Sequence, residues 1–186
     1  MERNLRWKKL KSEYVYKDRW FIARADSCEL PDGRVIEPYY VVELPDWTNV
    51  IVLTKDERMV FVKQYRYPVD AVTYELPGGI IEKGEEPQQA ALREMEEETG
   101  YTSADISFLM KLSPNPAINN NTAYFYLVRN AEPNGKQQFD AFEDLDVVSF
   151  SKEEVLSLLR ENKIQHGVQV GAVYQALLKL GWLTEQ

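Results

Sequence analysis

Glu94, Glu97 and Glu98 stand close together in "REMEEETG" (residues 93–100), and the wider segment 78–101 holds seven carboxylates against two basic side chains, Lys83 and Arg93. The chain already carries a net charge of -8, so this crowding adds repulsion where it is in excess. On a helix, at roughly 100° per residue, the three glutamates fall within about 100° of one another. Like charges at i and i+4, here Glu94 and Glu98, cost on the order of a few tenths of a kcal/mol even when exposed. Glu97 and Glu98 also lie at a helix C-terminus, where the dipole disfavours anions. A divalent cation reverses that penalty, and hard carboxylate oxygens select Mg²⁺ or Mn²⁺. The competing reading is a solvated acidic face, which is what most charged helical runs are.

The elements that must position these side chains follow from the flanking sequence. Pro87 suits the first helical position and Gly100 the left-handed residue just past the end, so a helix of about three turns is predicted between them. Ala91, Leu92, Met95 and Thr99 form the stripe expected to face a core, with the glutamates on another face. Upstream, period-2 alternation predicts strands over 20–30 and 34–44, joined at Pro31, Asp32 and Gly33 as a hairpin. The apolar runs "NVIVL" (49–53) and "MVFVKQY" (59–65) predict a second, more buried hairpin. A short strand at "TYEL" (73–76) precedes the acidic helix. Strands near 106–112, 123–128 and 145–150 follow it. Ser151 and Glu154 form a capping box that opens a helix to about Glu161, and a last helix covers roughly 169–180. Strands and helices mix without strict βαβ alternation, which points to α+β layers. The longest irregular stretches are 113–121 and 130–144, and long loops on a rigid scaffold tend to carry function.

Composition bounds what this chemistry serves. The chain has 186 residues, 44% hydrophobic and 12% aromatic, enough for one good core. Lys plus Arg number 22 against 30 Asp plus Glu, an acidic balance that argues against a nucleic-acid partner. An anionic ligand must then be met by a local cluster or a bound cation. The single cysteine, Cys28, excludes an intrachain disulfide and a multi-cysteine metal site. No apolar run reaches signal-peptide or bilayer-spanning length, so no membrane partner is expected and the cytoplasm is the expected address.

The full spacing, Gly79, Glu85 and then "REMEEETG" from Arg93 to Gly100, resembles the signature box of the Nudix hydrolases at every fixed Gly, Glu and Arg position. Tyr101 stands at the final aliphatic position, a departure that touches packing rather than chemistry. The resemblance implies a Nudix α/β/α sandwich with an N-terminal antiparallel β-sheet extension, divided as 1–46 and 47–186. It also implies a loop-helix-loop that binds two or more Mg²⁺ or Mn²⁺ ions and cleaves a nucleoside diphosphate linked to another group. Glu94 and Glu98 match the metal ligands. Glu97 matches a third carboxylate that holds a metal or its water, and the Gly78 carbonyl matches a backbone ligand. Arg93 and Glu85 match the pair that fixes the loop on the helix.

"QYRYPVDAVTYELPGG" (64–79) and "ELPDGRVIEPYYVVELPDW" (29–47) are similar to the ADP-ribose and nucleoside-diphosphate-sugar pyrophosphatases. That similarity implies a homodimer formed through the N-terminal sheet, with active sites completed by the partner subunit. Arg66 matches a contact to substrate phosphate or sugar, the alternative being a surface salt bridge. Trp20 matches an aromatic that stacks on the nucleobase, with Tyr39 or Tyr40 for its other face. The alternative for Trp20 is an ordinary core aromatic. The general base matches Glu143, with Asp144 next in line, on a loop long enough to close over substrate. Otherwise Glu143 merely caps the strand near Leu145. Asn119, Asn120 and Asn121 offer amides that read ribose, a hexose or a base edge. The ADP-ribose enzymes carry a proline, usually followed by glycine, in that loop. Here Pro116 is followed by Ala117, which leaves a GDP-mannose-type preference open beside ADP-ribose. A ligand-sensing module without catalysis is the remaining alternative. His166 is expected to have a surface or packing role.

Overall fold

The computed structural model describes residues 3–183. Two compact units emerge, one formed by the segment through Pro45 together with Ser113–Thr122, the other by Asp46–Leu112 together with the chain from Ala123 onward.

The first unit is an antiparallel sheet of β1 (Lys8–Lys17), β2 (Ile22–Glu29) and β3 (Val35–Glu43), in that order. The expected β2–β3 hairpin forms. Gly33, at φ +87°, supplies the left-handed residue of its turn, and its N–H donates to the Leu30 carbonyl at 3.0 Å. β1 is an addition to the sequence reading: "KKLKSEYVYK" is exposed along its whole length and so lacks a buried alternation. Its lysines suit an edge strand, where charge discourages further pairing. The segment 113–122 belongs with this sheet. Val42 N–H donates to the Ile118 carbonyl at 2.8 Å, and Asn121 Nδ2 donates to the Pro45 carbonyl at 3.0 Å.

The second unit holds a six-stranded sheet of β4 (Trp47–Thr54), β5 (Met59–Arg66), β6 (Ala71–Glu75), β7 (Asp105–Leu112), β8 (Ala123–Ala131) and β9 (Leu145–Phe150). The path runs β6-β5-β4-β8-β7, β9 joins at β5, and the β4–β8 pair is parallel. The expected β4–β5 hairpin closes over only Val52↔Val60 and Leu53↔Met59. β9 takes one edge of β5 along Met59–Gln64, so the other edge is divided between β4 and, from Val62, β6. β4 thereby gains a vacated edge, and the chain leaving β6 fills it. Val50 N–H donates to the Pro77 carbonyl and Thr48 N–H to the Gly79 carbonyl, each at 2.9 Å.

Alternation along the central strands builds a core on each sheet face. Val50, Val52, Tyr126 and Val128 pack against Ala91 and Met95 of α1 (Pro87–Thr99). Ile51, Phe125 and Leu127 pack against α2 (Lys152–Arg160) and α3 (Gly167–Lys179) through Val155, Val173 and Leu177. This is the expected α/β/α layering. The Ser151–Glu154 capping box is present at the start of α2. Among the described residues no helix is long and apolar enough to cross a membrane.

Candidate active site

The chain between β6 and α1 is held tightly enough to act as a template. Gly78 has φ +154°, and a Cβ there would lie 2.7 Å from Asn49 Cα and closer still to the Thr48 carbonyl and the Asn49 amide. Only glycine fits so near another backbone. At Gly79 a Cβ would sit 2.5 Å from Glu94 Oε1, so the missing side chain is the space that the Glu94 carboxylate occupies. The carbonyls of Leu76, Pro77, Gly79 and Ile80 each accept a hydrogen bond, from Asn49, Val50, Thr48 and Arg93 in turn. Among the described residues none is made to the Gly78 carbonyl.

Arg93 is the hub. Its Nε donates to Glu85 Oε1 at 2.9 Å and one terminal nitrogen to Glu85 Oε2 at 3.0 Å, a two-pronged pairing that ties the loop to α1. Its other terminal nitrogen bridges Glu94 Oε1 at 2.8 Å and Glu97 Oε2 at 3.0 Å. The Arg93 hydrogen bonds hold the Glu85 carboxyl below its usual range, and Glu85 in turn raises the guanidinium. The expectation that these two fix the loop on the helix fits this geometry.

Glu98 corrects the face assignment. Grouped with the exposed acids by helical angle, it is 5% exposed and shares the buried side of α1 with Ala91, Met95 and Thr99. The Gly78 N–H donates to its Oε2 at 2.8 Å. Burial pushes this carboxyl up to about 8. The Gly78 hydrogen bond opposes the shift, while the charges of Glu94 and Glu143 add to it. Burial also raises Glu94 against the opposing pull of Arg93, with Glu97 and Glu143 again adding to the rise. Glu143 is thus within electrostatic reach of both. Its carboxylate also accepts from Asp140 N–H at 2.8 Å, closing its own turn rather than capping the strand at Leu145. Asp144 is exposed.

Among the described residues no three acidic, His or Cys side chains stand grouped as a ready cation cage, Arg93 bridging Glu94 and Glu97 instead. The donor set nonetheless fits a hard cation. Glu98 is buried and Glu94 partly buried, burial raises both carboxyls, and the Gly78 carbonyl of the same loop accepts no hydrogen bond among the described residues, which together make a set of hard oxygens of the kind divalent ions take.

Arg66 is salt-bridged, and its partner is a buried carboxylate. Its Nε and one terminal nitrogen grip both oxygens of Glu75 at 2.8 and 2.7 Å, and Thr73 Oγ1 donates to the same carboxylate at 2.6 Å. Burial pushes Glu75 up, but the Arg66 and Thr73 hydrogen bonds outweigh it and leave the carboxyl below its usual range. With Glu75 buried and Arg66 half exposed, the fork is rigid at its base and open at its tip. Arg66, Glu75, Trp47 and His166 line a cleft of about 240 Å³ that reaches Gly78 and Gly79. His166 stands edge-on to Trp47, and burial lowers its pKa.

A family model for the NUDIX domain matches residues 45–169. The chain belongs to the Nudix hydrolase family. A model for the nucleoside diphosphate sugar hydrolase N-terminal domain matches residues 7–42, the Nudix chain's three-stranded sheet. Over 167 residues it is 30% identical to the methanol dehydrogenase activator of Bacillus methanolicus, covering 89% of this chain and 90% of that protein. Over 178 residues it is 27% identical to the ADP-ribose pyrophosphatase of Bacillus subtilis (strain 168), covering 95% and 96%. Its fold matches the crystal structure of an ADP compounds hydrolase with a TM-score of 0.82 at 22% identity, over 98% of this chain and 100% of that one.

The remaining expected residues of this Nudix chain lie in the first unit. Trp20 is 73% exposed, so the core reading does not hold. It sits in a turn ahead of β2, where Asp18 Oδ1 accepts from the N–H groups of Trp20 and Phe21 at 2.7 and 2.6 Å. Tyr39 OH donates to the Ala117 carbonyl at 2.6 Å, and Asn119 bridges Val42, so β3 and the 113–122 loop come together. Tyr40 is exposed. The sequence reading passed over Asn49, Glu75 and Gln169. For Asn49 and Gln169 the available signal was a polar residue within an otherwise apolar stretch of strand or helix, whereas Glu75 ends a strand of mixed polarity that gives none.

Proposed function

We propose that this protein is a cytoplasmic, homodimeric, metal-dependent pyrophosphohydrolase of ADP-ribose or related nucleoside diphosphate sugars. The reading rests on one observation above the others: a buried Glu98 that accepts from Gly78 N–H, beside a Glu94 seated where the Gly79 side chain would be. Glu94, Glu98, Glu97 and the Gly78 carbonyl would hold Mg²⁺ or Mn²⁺, two or more ions in all. The ions would supply charge neutralisation for the diphosphate and a more acidic water. Arg66, pre-set by Glu75, binds phosphate or sugar. Glu143 accepts the proton of the attacking water as it adds to one phosphorus. The bridging P–O bond breaks, and a nucleoside monophosphate and a sugar phosphate leave. Trp20 stacks on the base, with Tyr39 and Asn119 beside it, and the N-terminal sheets of the dimer complete the pockets.

The test is a panel of ADP-ribose, GDP-mannose and other nucleotide sugars with Mg²⁺ and with Mn²⁺, read as phosphate released by an added phosphatase. Metal-dependent turnover of ADP-ribose or of a related nucleotide sugar is the expected outcome, and the member turned over fastest sets the preference. Tight ADP-ribose binding without turnover of any member would make the protein a sensor instead.

A further inference from the structure

The buried stripe of α3 is apolar at Ala172, Val173, Ala176 and Leu177 but opens on Gln169, which is 3% exposed. Asn49, in the middle of the apolar run of β4, is also 3% exposed. An apolar residue at either place would avoid the cost of drying an amide. What the amides gain is a relay to the template loop. Leu76 N–H donates to Gln169 Oε1 at 2.8 Å, Gln169 Nε2 to Asn49 Oδ1 at 3.1 Å, and Asn49 Nδ2 to the carbonyls of Leu76 and Pro77 at 3.2 and 3.3 Å. The first bond fixes which end of Gln169 faces Asn49. That in turn fixes which end of Asn49 faces the loop.

We infer that Asn49 and Gln169 are positioning residues. They hold the Leu76–Gly78 backbone where Gly78 N–H reaches Glu98 and the Gly78 carbonyl has no hydrogen-bond partner among the described residues, and so they set the affinity of the site for a divalent cation. Gly78 is the softest point of that backbone, since glycine has no side chain to restrict rotation. Clamping the residues before it from two elements removes that freedom before a ligand arrives. Outer partners of metal ligands typically matter by about 10–100-fold in affinity. The inference rests on the proposed metal site.

The test is Mn²⁺ binding to the intact, substrate-free chain by titration calorimetry, alongside melting temperature. Gln169→Leu should weaken Mn²⁺ about tenfold or more. Leu177→Ala, a core truncation on the same helix, should lower the melting temperature comparably and keep the wild-type Kd. Gln169→Met takes the place of Gln169→Leu if the latter does not fold. An unchanged Kd in the Gln169 variant, or an equal loss in Leu177→Ala, overturns the inference and leaves the metal site standing. A wild type that binds no Mn²⁺, or a Glu98→Gln variant that binds it normally, overturns the metal site and the inference with it.

Discussion

Glu98 concentrates the conflict between burial and charge. Glu98→Gln keeps an acceptor for Gly78 N–H, so the fold should survive while turnover is lost. Near-normal activity at saturating Mg²⁺ would remove Glu98 from the ligand set. The pH dependence has a definite sign. With a folded value of about 8 against an ordinary carboxylate value near 4.3 in the unfolded chain, the folded state holds the proton more tightly. The stability this contributes to the metal-free protein is present in full below the unfolded value and is lost as pH rises through about 8. His166, lowered by burial, works in the opposite direction below its ordinary value, so the comparison that isolates Glu98 is with Glu98→Gln. In EDTA the wild-type melting temperature should fall between pH 5 and 8 relative to that variant, and Mg²⁺ should restore more of it at the higher pH. A constant difference between the two proteins across that range would refute the assignment.

The loop after β8, residues 132–144, is tied to α1 over its first half and mostly exposed over its second. Its first half caps the C-terminus of α1: Gln137 Nε2 donates to the Glu98 carbonyl and Gln138 N–H to the Glu97 carbonyl, both at 2.9 Å, and Gly135 N–H to Gly100 at 3.0 Å. Unpaired carbonyls at a helix end need such partners. Its second half carries the exposed Phe139 and Phe142 and then Glu143. If Glu143 takes the proton, Glu143→Gln should lower kcat by roughly 10²-fold or more with KM little changed. Loss confined to KM would make it a binding residue, and a full effect from Asp144→Asn alone would move the role there.

The same elements mark what the sequence disclosed. α1, its Pro87 start and Gly100 end, the β2–β3 turn and the Ser151 cap were legible because each is a local signal with a local cause. The spacing of Gly79, Glu85, Arg93 and the glutamates was legible because the chemistry is sequence-local too. β1 was not, since an edge strand exposed on every residue has no alternation to read. Nor was the burial of Glu98, which depends on a glycine loop twenty residues upstream folding across the end of α1. The relay from Gln169 through Asn49 joins positions 120 residues apart, and no pattern within either element announces the other.

At the scale of the whole molecule, a net charge of -8 must accommodate a ligand that is itself an anion. Cations between them resolve the conflict, so ADP-ribose binding should vanish in EDTA and return with Mg²⁺ under equilibrium dialysis. Metal-independent binding would mean that side chains alone meet the phosphates. The first unit exposes Tyr14, Val15, Tyr16, Trp20 and Phe21, apolar surface that a three-stranded sheet can cover by packing its side chains against a second copy. Sedimentation should therefore report a dimer. Base stacking is worth on the order of 1–3 kcal/mol per aromatic, so Trp20→Ala should raise KM about tenfold or more and spare kcat. Mixing Trp20→Ala subunits with Glu98→Gln subunits then tests the shared pocket. If each Trp20 serves its partner's metal site, the mixed dimer has one intact pocket and one doubly damaged pocket, and a normal KM returns at half the sites. If each Trp20 serves its own chain, the only pocket with all its metal ligands lacks the aromatic and keeps the raised KM. The normal KM is the expected result, and a monomer with full activity would overturn the shared pocket altogether.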